Sequence, residues 1–208
     1  MIVVTPYVEQ VNGPIDGITF LQKIERAGRL CYKSEANITD ESAQKFVARL
    51  IANGHEAMLE HADSISLKFV CDRGVSHEIV RHRLFSFAQE STRYCNYGKQ
   101  NEIRVIKPCF WEPTDEAYKC WFYNMRICEE AYLTLLDLGA TPQEARSVLP
   151  NSLKTEIIVT GNVREWRHFF KLRTANYAHP QMREVAIEAL DLLKYQIPVI
   201  FDDIEVEE

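Results

Sequence analysis

The sequence predicts an α+β fold: a central, mostly antiparallel sheet flanked by helices, one of them long. Three observations carry this. Apolar residues recur at helical spacing in several runs, a stretch at 64–70 alternates strictly, and no repeat or Pro/Gly-rich linker divides the chain. The 208 residues, 46% of them hydrophobic, suit a single domain over 1–208.

The elements follow in order. IVV at 2–4 reads as a short strand, and Ile18, Leu21, Ile24, Ala27 and Leu30 set a helix over 16–32. A second helix opens with Thr39 as N-cap and Ser42 in its first turn, and stops at Gly54. Ile65, Leu67 and Phe69 alternate with Ser64, Ser66 and Lys68, the pattern of a half-buried strand, which hands over to a helix over 73–82. Residues 114–138 form the longest periodic run. Tyr118, Trp121, Phe122, Met125, Cys128, Tyr132, Leu135 and Leu136 share one of its faces, a stripe suited to a core or a subunit interface. Thr141 and Pro142 start a short helix that closes near Pro150. SLKTEIIVTGN reads as a strand ended by Gly161, NVREWRHFFKLR as a helix, and the last helix starts at Pro180.

Composition narrows the function. A net charge of −6 disfavours a coat on nucleic acid or on an anionic membrane, so any anion site is local. The N-terminal stretch lacks a basic, apolar leader and no run reaches about 18 apolar residues, so a cytoplasmic protein without a membrane span is expected. The six cysteines form no CxxC pair and sit in apolar or helical patterns. Reduced, mostly buried thiols are expected, with none catalytic; Cys95, two residues after Arg93, has the most electropositive setting.

Against this acidic background RHRLFSFAQESTRY, residues 81–94, holds three arginines, one histidine, two serines, one threonine and only Glu90 as counter-charge. Arginine binds phosphate or an anionic ring edge with its planar fork and stays charged in a dry pocket, and neighbouring hydroxyls add short donors. Arg81 and Arg83 diverge by about 200° on a helix, so they reach one ligand only if the helix ends near Arg81. The plain alternative is a solvated basic patch. Upstream, GHEAMLEH places His55 and His61 six apart, not the i, i+4 pair of a zinc helix. With His77 and His82 no familiar ligand spacing is completed, and no metal site is expected. A third cluster, NVREWRHFFKLRTANYAHPQMRE, puts Arg164, His168 and Lys171 on one helix side, with Trp166, Phe169, Phe170 and Leu172 on the buried one. Its polar side, with Arg167 and Arg173 nearby, is expected to face something anionic, and Arg146 in EARSVLP is a further candidate.

Arg81-His82-Arg83 followed after seven residues by Ser91, then Arg93-Tyr94, resembles the R-H-R-x7-S signature of the flavin-dependent thymidylate synthases. GHEAMLEH, ARSVLP and NVREWRHFFKLRTANYAHPQ resemble further stretches of that family in the same order, over about residues 40–185. The resemblance implies a homotetramer with active sites across subunit interfaces. It implies conversion of dUMP to dTMP with 5,10-methylenetetrahydrofolate as carbon donor, tightly bound FAD as hydride carrier and NADPH as reductant. It assigns His55, Arg81, His82, Arg83, Gln89, Asn162, Val163, Arg164 and His168 to FAD. The dUMP side takes Glu78, Arg81, Gln89, Glu90, Ser91, Thr92, Arg93, Arg146 and Arg173, with Arg173 activating the uracil and Ser91 binding rather than attacking. This chain departs from the family pattern at Ala88-Gln89-Glu90, at Ala57, at His168 and in the length of the segment after Arg173. From the residues alone, a nucleotide-binding module without catalysis and a histidine-rich metallohydrolase remain open.

Overall fold

A computed structural model of the chain describes residues 1–100 and 103–206. Among them a four-stranded antiparallel sheet runs in the order β2 (Tyr7–Gln10), β3 (Ile65–Asp72), β6 (Lys154–Gly161), β4 (Ser86–Gln89). A separate parallel pair joins β1 (Ile2–Val4) to β5 (Arg104–Ile106). The helices are α1 (Gly17–Leu30), α2 (Ser42–Ala52), α3 (Arg73–Ile79), α4 (Glu116–Asp137), α5 (Pro142–Ala145), α6 (Val163–Arg173), α7 (Pro180–Gln196) and α8 (Pro198–Phe201). The α+β class with an antiparallel sheet and one long helix is what the sequence predicted.

Alternation decides which sheet face is buried. Ile65, Leu67, Phe69 and Cys71 of β3 and Ile157 and Val159 of β6 point to one side, where Trp166, Phe169 and Phe170 of α6 and the apolar sides of α1, α2, α7 and α8 close the main core. A smaller cluster of Ile103, Val105, Tyr132, Ala145 and Leu153 joins β5, α4 and α5. The other sheet face carries Lys68, Lys154, Glu156 and Thr160, all partly exposed.

Several local expectations need correction. α2 starts at Ser42, not at a Thr39 cap: the Ser42 hydroxyl accepts from the Thr39 N–H, and the Thr39 carbonyl accepts from the Ser42 N–H. Its far end is the expected glycine stop, with Gly54 at φ +71°. β3 is more buried than a half-buried strand, because β2 and β6 flank it and Lys68 alone of its eight residues is partly exposed. α3 ends at Ile79, three residues short of His82. Of the α4 stripe only Tyr132 is buried, while Tyr118 and Phe122 stack on each other at 6.3 Å in partly exposed positions. Leu172 lies on the exposed side of α6, and the buried side takes Arg167 instead. The cysteines are not mostly buried: Cys71 is, whereas Cys31, Cys109 and Cys120 are exposed.

Candidate active site

The Arg81–Leu84 turn owes its place to an absent side chain. α3 stops at Ile79, where the His82 N–H donates to the Ile79 carbonyl at 3.1 Å and the Phe85 N–H to the His82 carbonyl at 3.1 Å. Phe85 then drops into the core beside Trp166, ring centroids 4.6 Å apart. It lies against Gly161, where a Cβ would collide with its ring. The helix thus ends before Arg81, the condition under which Arg81 and Arg83 serve one ligand. Both are exposed, and neither side chain has a partner among the described residues.

Arg173 arrives from the last turn of α6. Its Nε donates to His82 Nε2 at 2.9 Å, Nη1 to Glu78 Oε2 at 3.0 Å, and Nη2 to the Glu78 carbonyl at 3.4 Å. A guanidinium has five N–H groups, so two remain for a ligand. His82 is buried against the Phe169 ring at 4.9 Å, and burial, then the charges of Arg173 and His168, push its pKa down to about 4. The imidazole is therefore neutral and accepts from Arg173. Its Nδ1 lies 3.7 Å from Glu165 Oε1, and burial pushes the Glu165 carboxyl up. Arg81, Arg83, His168, Leu84, Leu172 and Arg173 help line a cleft of about 310 Å³ here.

A second group sits at the other end of β4. Strand rise of about 3.3 Å per residue puts roughly 10 Å between Ser86 and Gln89. Past Gln89 the chain turns: the Ser91 carbonyl accepts from the Tyr94 and Cys95 N–H groups at 3.1 and 2.9 Å, and Ser91 Oγ accepts from the Arg93 N–H at 3.3 Å. Thr92 is buried and its hydroxyl accepts from Arg146 Nη1 at 3.3 Å. Arg93 stays exposed with its guanidinium 5.4 Å over the Tyr94 ring.

Other candidates fall outside these two groups. Gln89 turns inward and donates to Ser76 Oγ at 2.8 Å and Thr155 Oγ1 at 3.3 Å. Glu90 accepts from Tyr97 and Lys154 at 2.8 and 3.3 Å. Asn162 caps α6, its Oδ1 accepting from the Glu165 N–H at 2.9 Å, and Val163 is buried. Arg164 pairs with Glu60 at 2.7 Å on the surface. His55 precedes a 3-10 turn at Glu56–His61 and helps line a separate hollow of about 300 Å³ with Cys31 and Met58. A larger hollow of about 710 Å³, between α8 and the starts of α1 and α2, holds no predicted site residue. Lys154, Tyr97 and Arg73 carry no motif that marks them in the sequence; the only local signal was the charge alternation of Lys154 and Glu156 on the outward side of β6. Among the described residues no three His, Cys, Asp or Glu side chains are grouped to hold a metal ion.

The cleft suits a flavin. Two unpartnered guanidiniums fit a pyrophosphate, and Leu84, 76% exposed beside them, offers apolar cover to a ring system.

Comparisons with known proteins agree with this chemistry. The family "Thymidylate synthase complementing protein" matches residues 18–199. The chain is 34% identical over 201 residues to the flavin-dependent thymidylate synthase of Corynebacterium glutamicum, covering 88% of this chain and 79% of that one. It is 36% identical over 183 residues to that of Geobacter sulfurreducens, covering 85% and 78%. The fold matches the UMP/dUMP methylase PolB from Streptomyces cacaoi, solved with 5-Br dUMP, with a TM-score of 0.78, 24% identity and coverage of 97% and 96%. With that match along most of its length, this chain belongs to the family of the flavin-dependent thymidylate synthases.

Proposed function

We propose that the chain is a flavin-dependent thymidylate synthase that converts dUMP to dTMP, with 5,10-methylenetetrahydrofolate as carbon donor, NADPH as reductant and FAD as hydride carrier. The observation that carries this is Arg173, held between Glu78 and His82 with two donors to spare, beside the unpartnered Arg81 and Arg83. Once reduced by NADPH, the bound flavin would supply the hydride that completes the methyl group. The chain's own residues bind and orient. Arg81 and Arg83 hold the flavin's anionic part, joined by His55, His82, Gln89, Asn162, Val163, Arg164 and His168 as the family pattern assigns. Arg173 lays its free donors on the pyrimidine edge and stabilises the negative charge that builds there as C5 becomes electron-rich. Ser91, Arg93 and Arg146 take the phosphate, with Glu78, Gln89 and Thr92 beside the nucleotide and Glu90 at the start of the phosphate-binding turn.

No enzyme nucleophile is needed. Ser91 Oγ accepts a backbone bond, and among the described residues no histidine bonds to it as a base would. Residues 1–208 act as one domain, and four copies assemble so that the two ends of β4 serve sites shared between subunits. No described helix is long and apolar enough to cross a membrane, and the cytoplasm supplies the substrates.

The test is direct. Purified protein loaded with FAD, dUMP, methylenetetrahydrofolate and NADPH is expected to show flavin absorbance and to form dTMP. Protein that stays colourless after incubation with FAD, or forms no dTMP, overturns the assignment.

A further inference from the structure

Four contacts converge on Glu90, the residue that follows β4. Its N–H donates to the Glu156 carbonyl at 2.9 Å, and its carbonyl accepts from Arg73 Nη1 at 3.4 Å. Its carboxylate accepts from the Tyr97 hydroxyl at 2.8 Å and from Lys154 Nζ at 3.3 Å. Lys154 also pairs with Glu156, Glu156 lies 3.6 Å from Lys68, and Lys68 pairs with Glu9. A ladder of alternating charge thus crosses the outer sheet face from β2 and ends at Glu90.

The next residue begins the turn that carries Ser91, Thr92 and Arg93. Because Tyr97 returns to the Glu90 carboxylate and the Glu90 backbone is held by Glu156 and Arg73, the segment between them is tied at both ends. Tyr97 is itself held against the Tyr132 ring at 5.9 Å, and burial, with the Glu90 charge beside it, pushes its hydroxyl far up, so it remains a donor. A carboxylate engaged in this way is poorly suited to touch a phosphate, since like charges repel in a partly dry site. Holding the loop in place removes ordering entropy from the binding step.

We propose that Glu90, Tyr97 and Lys154 form a staple that presets the Ser91–Arg93 turn for the nucleotide phosphate, as positioning residues and not as ligands. This rests on the nucleotide reading above. The staple acts on the phosphate alone, so deoxyuridine, which lacks it, gains nothing from it.

Calorimetric titration of dUMP and of deoxyuridine into the flavin-loaded protein tests this. Tyr97→Phe and Lys154→Met are each expected to weaken dUMP about tenfold, the scale of a hydrogen bond to a charged group, while deoxyuridine stays within about twofold. Glu90→Gln, which keeps an acceptor, is expected to lose less than Glu90→Ala. Flavin absorbance and circular dichroism check the fold, and Tyr97→Phe, which removes one hydroxyl, decides the matter should Lys154→Met not fold. Equal weakening of both ligands, or unchanged dUMP affinity, overturns the staple. Wild-type protein that binds no dUMP overturns the nucleotide reading and the staple with it.

Discussion

Arg167 and Arg81 stand in two similar arginine-rich stretches and end in opposite states. Arg167 is 1% exposed and bonded to Glu56, Asp203 and the Ile200 carbonyl. Arg81 is exposed with no side-chain partner among the described residues. Arg164 and Lys171 follow Arg167, pairing with Glu60 and Glu56. Cation density in a sequence therefore does not separate fold from ligand site. The fold separates Arg167 from Arg81 by supplying carboxylates to the one and none to the other, while Arg173, bonded to Glu78 with donors to spare, stands between them.

The largest expected effect lies on the ligand side. Arg173→Ala should lower dTMP formation by roughly 10³-fold, the scale of removing a preorganised charge at a reacting centre, with the unfolding midpoint within error of wild type. A matching loss of stability would place Arg173 with Arg167. Arg167→Ala should do the reverse: it removes the partner of Asp203 and of the Ile200 carbonyl and leaves Glu56 with Lys171 alone, so denaturant titration should show a loss of about 1–3 kcal/mol. Arg81→Ala should weaken FAD by roughly ten- to a hundredfold, read by flavin fluorescence, and leave the denaturant midpoint in place.

The smallest effect is in pH. Folded His82 refuses a proton until about pH 4, whereas the unfolded chain takes it up near its ordinary 6.5. The unfolded state then binds more protons, so stability falls as pH drops, by about 2 kcal/mol between pH 7 and 5. His82→Gln should flatten that slope. A further loss belongs below about 4.5: burial opposes the Glu56 charge, but Lys171 and Arg167 outweigh it and hold the carboxyl low, as Arg167 does for Asp203. Those contributions vanish as pH falls through the folded values.

Periodic runs made α1, α4 and α6 legible, Pro180 marked the start of α7, strict alternation showed β3, and the run closed by Gly161 showed β6. β2, β4 and β5 were not. They are four, four and three residues long, too short for a period to show, and β4 hides inside a motif read for its chemistry. At the site, the reactive residue types were plain in the sequence, and their partners were not. Glu56 meets Arg167 across 111 residues, Glu60 meets Arg164 across 104, and Glu78 meets Arg173 across 95. The Glu90 carboxylate likewise looks free in the sequence until Lys154 arrives from 64 residues away.

The contact between Phe85 and Gly161 couples two positions 76 apart into a single rule of succession. A side chain at 161 and an aromatic ring at 85 exclude one another, so Gly161 can change only after Phe85 has given way. Drift at this spot must pass through a smaller residue at 85, and that intermediate would loosen the turn on which Arg81 and Arg83 stand. The turn is thereby held by a buried ring in the core beneath it.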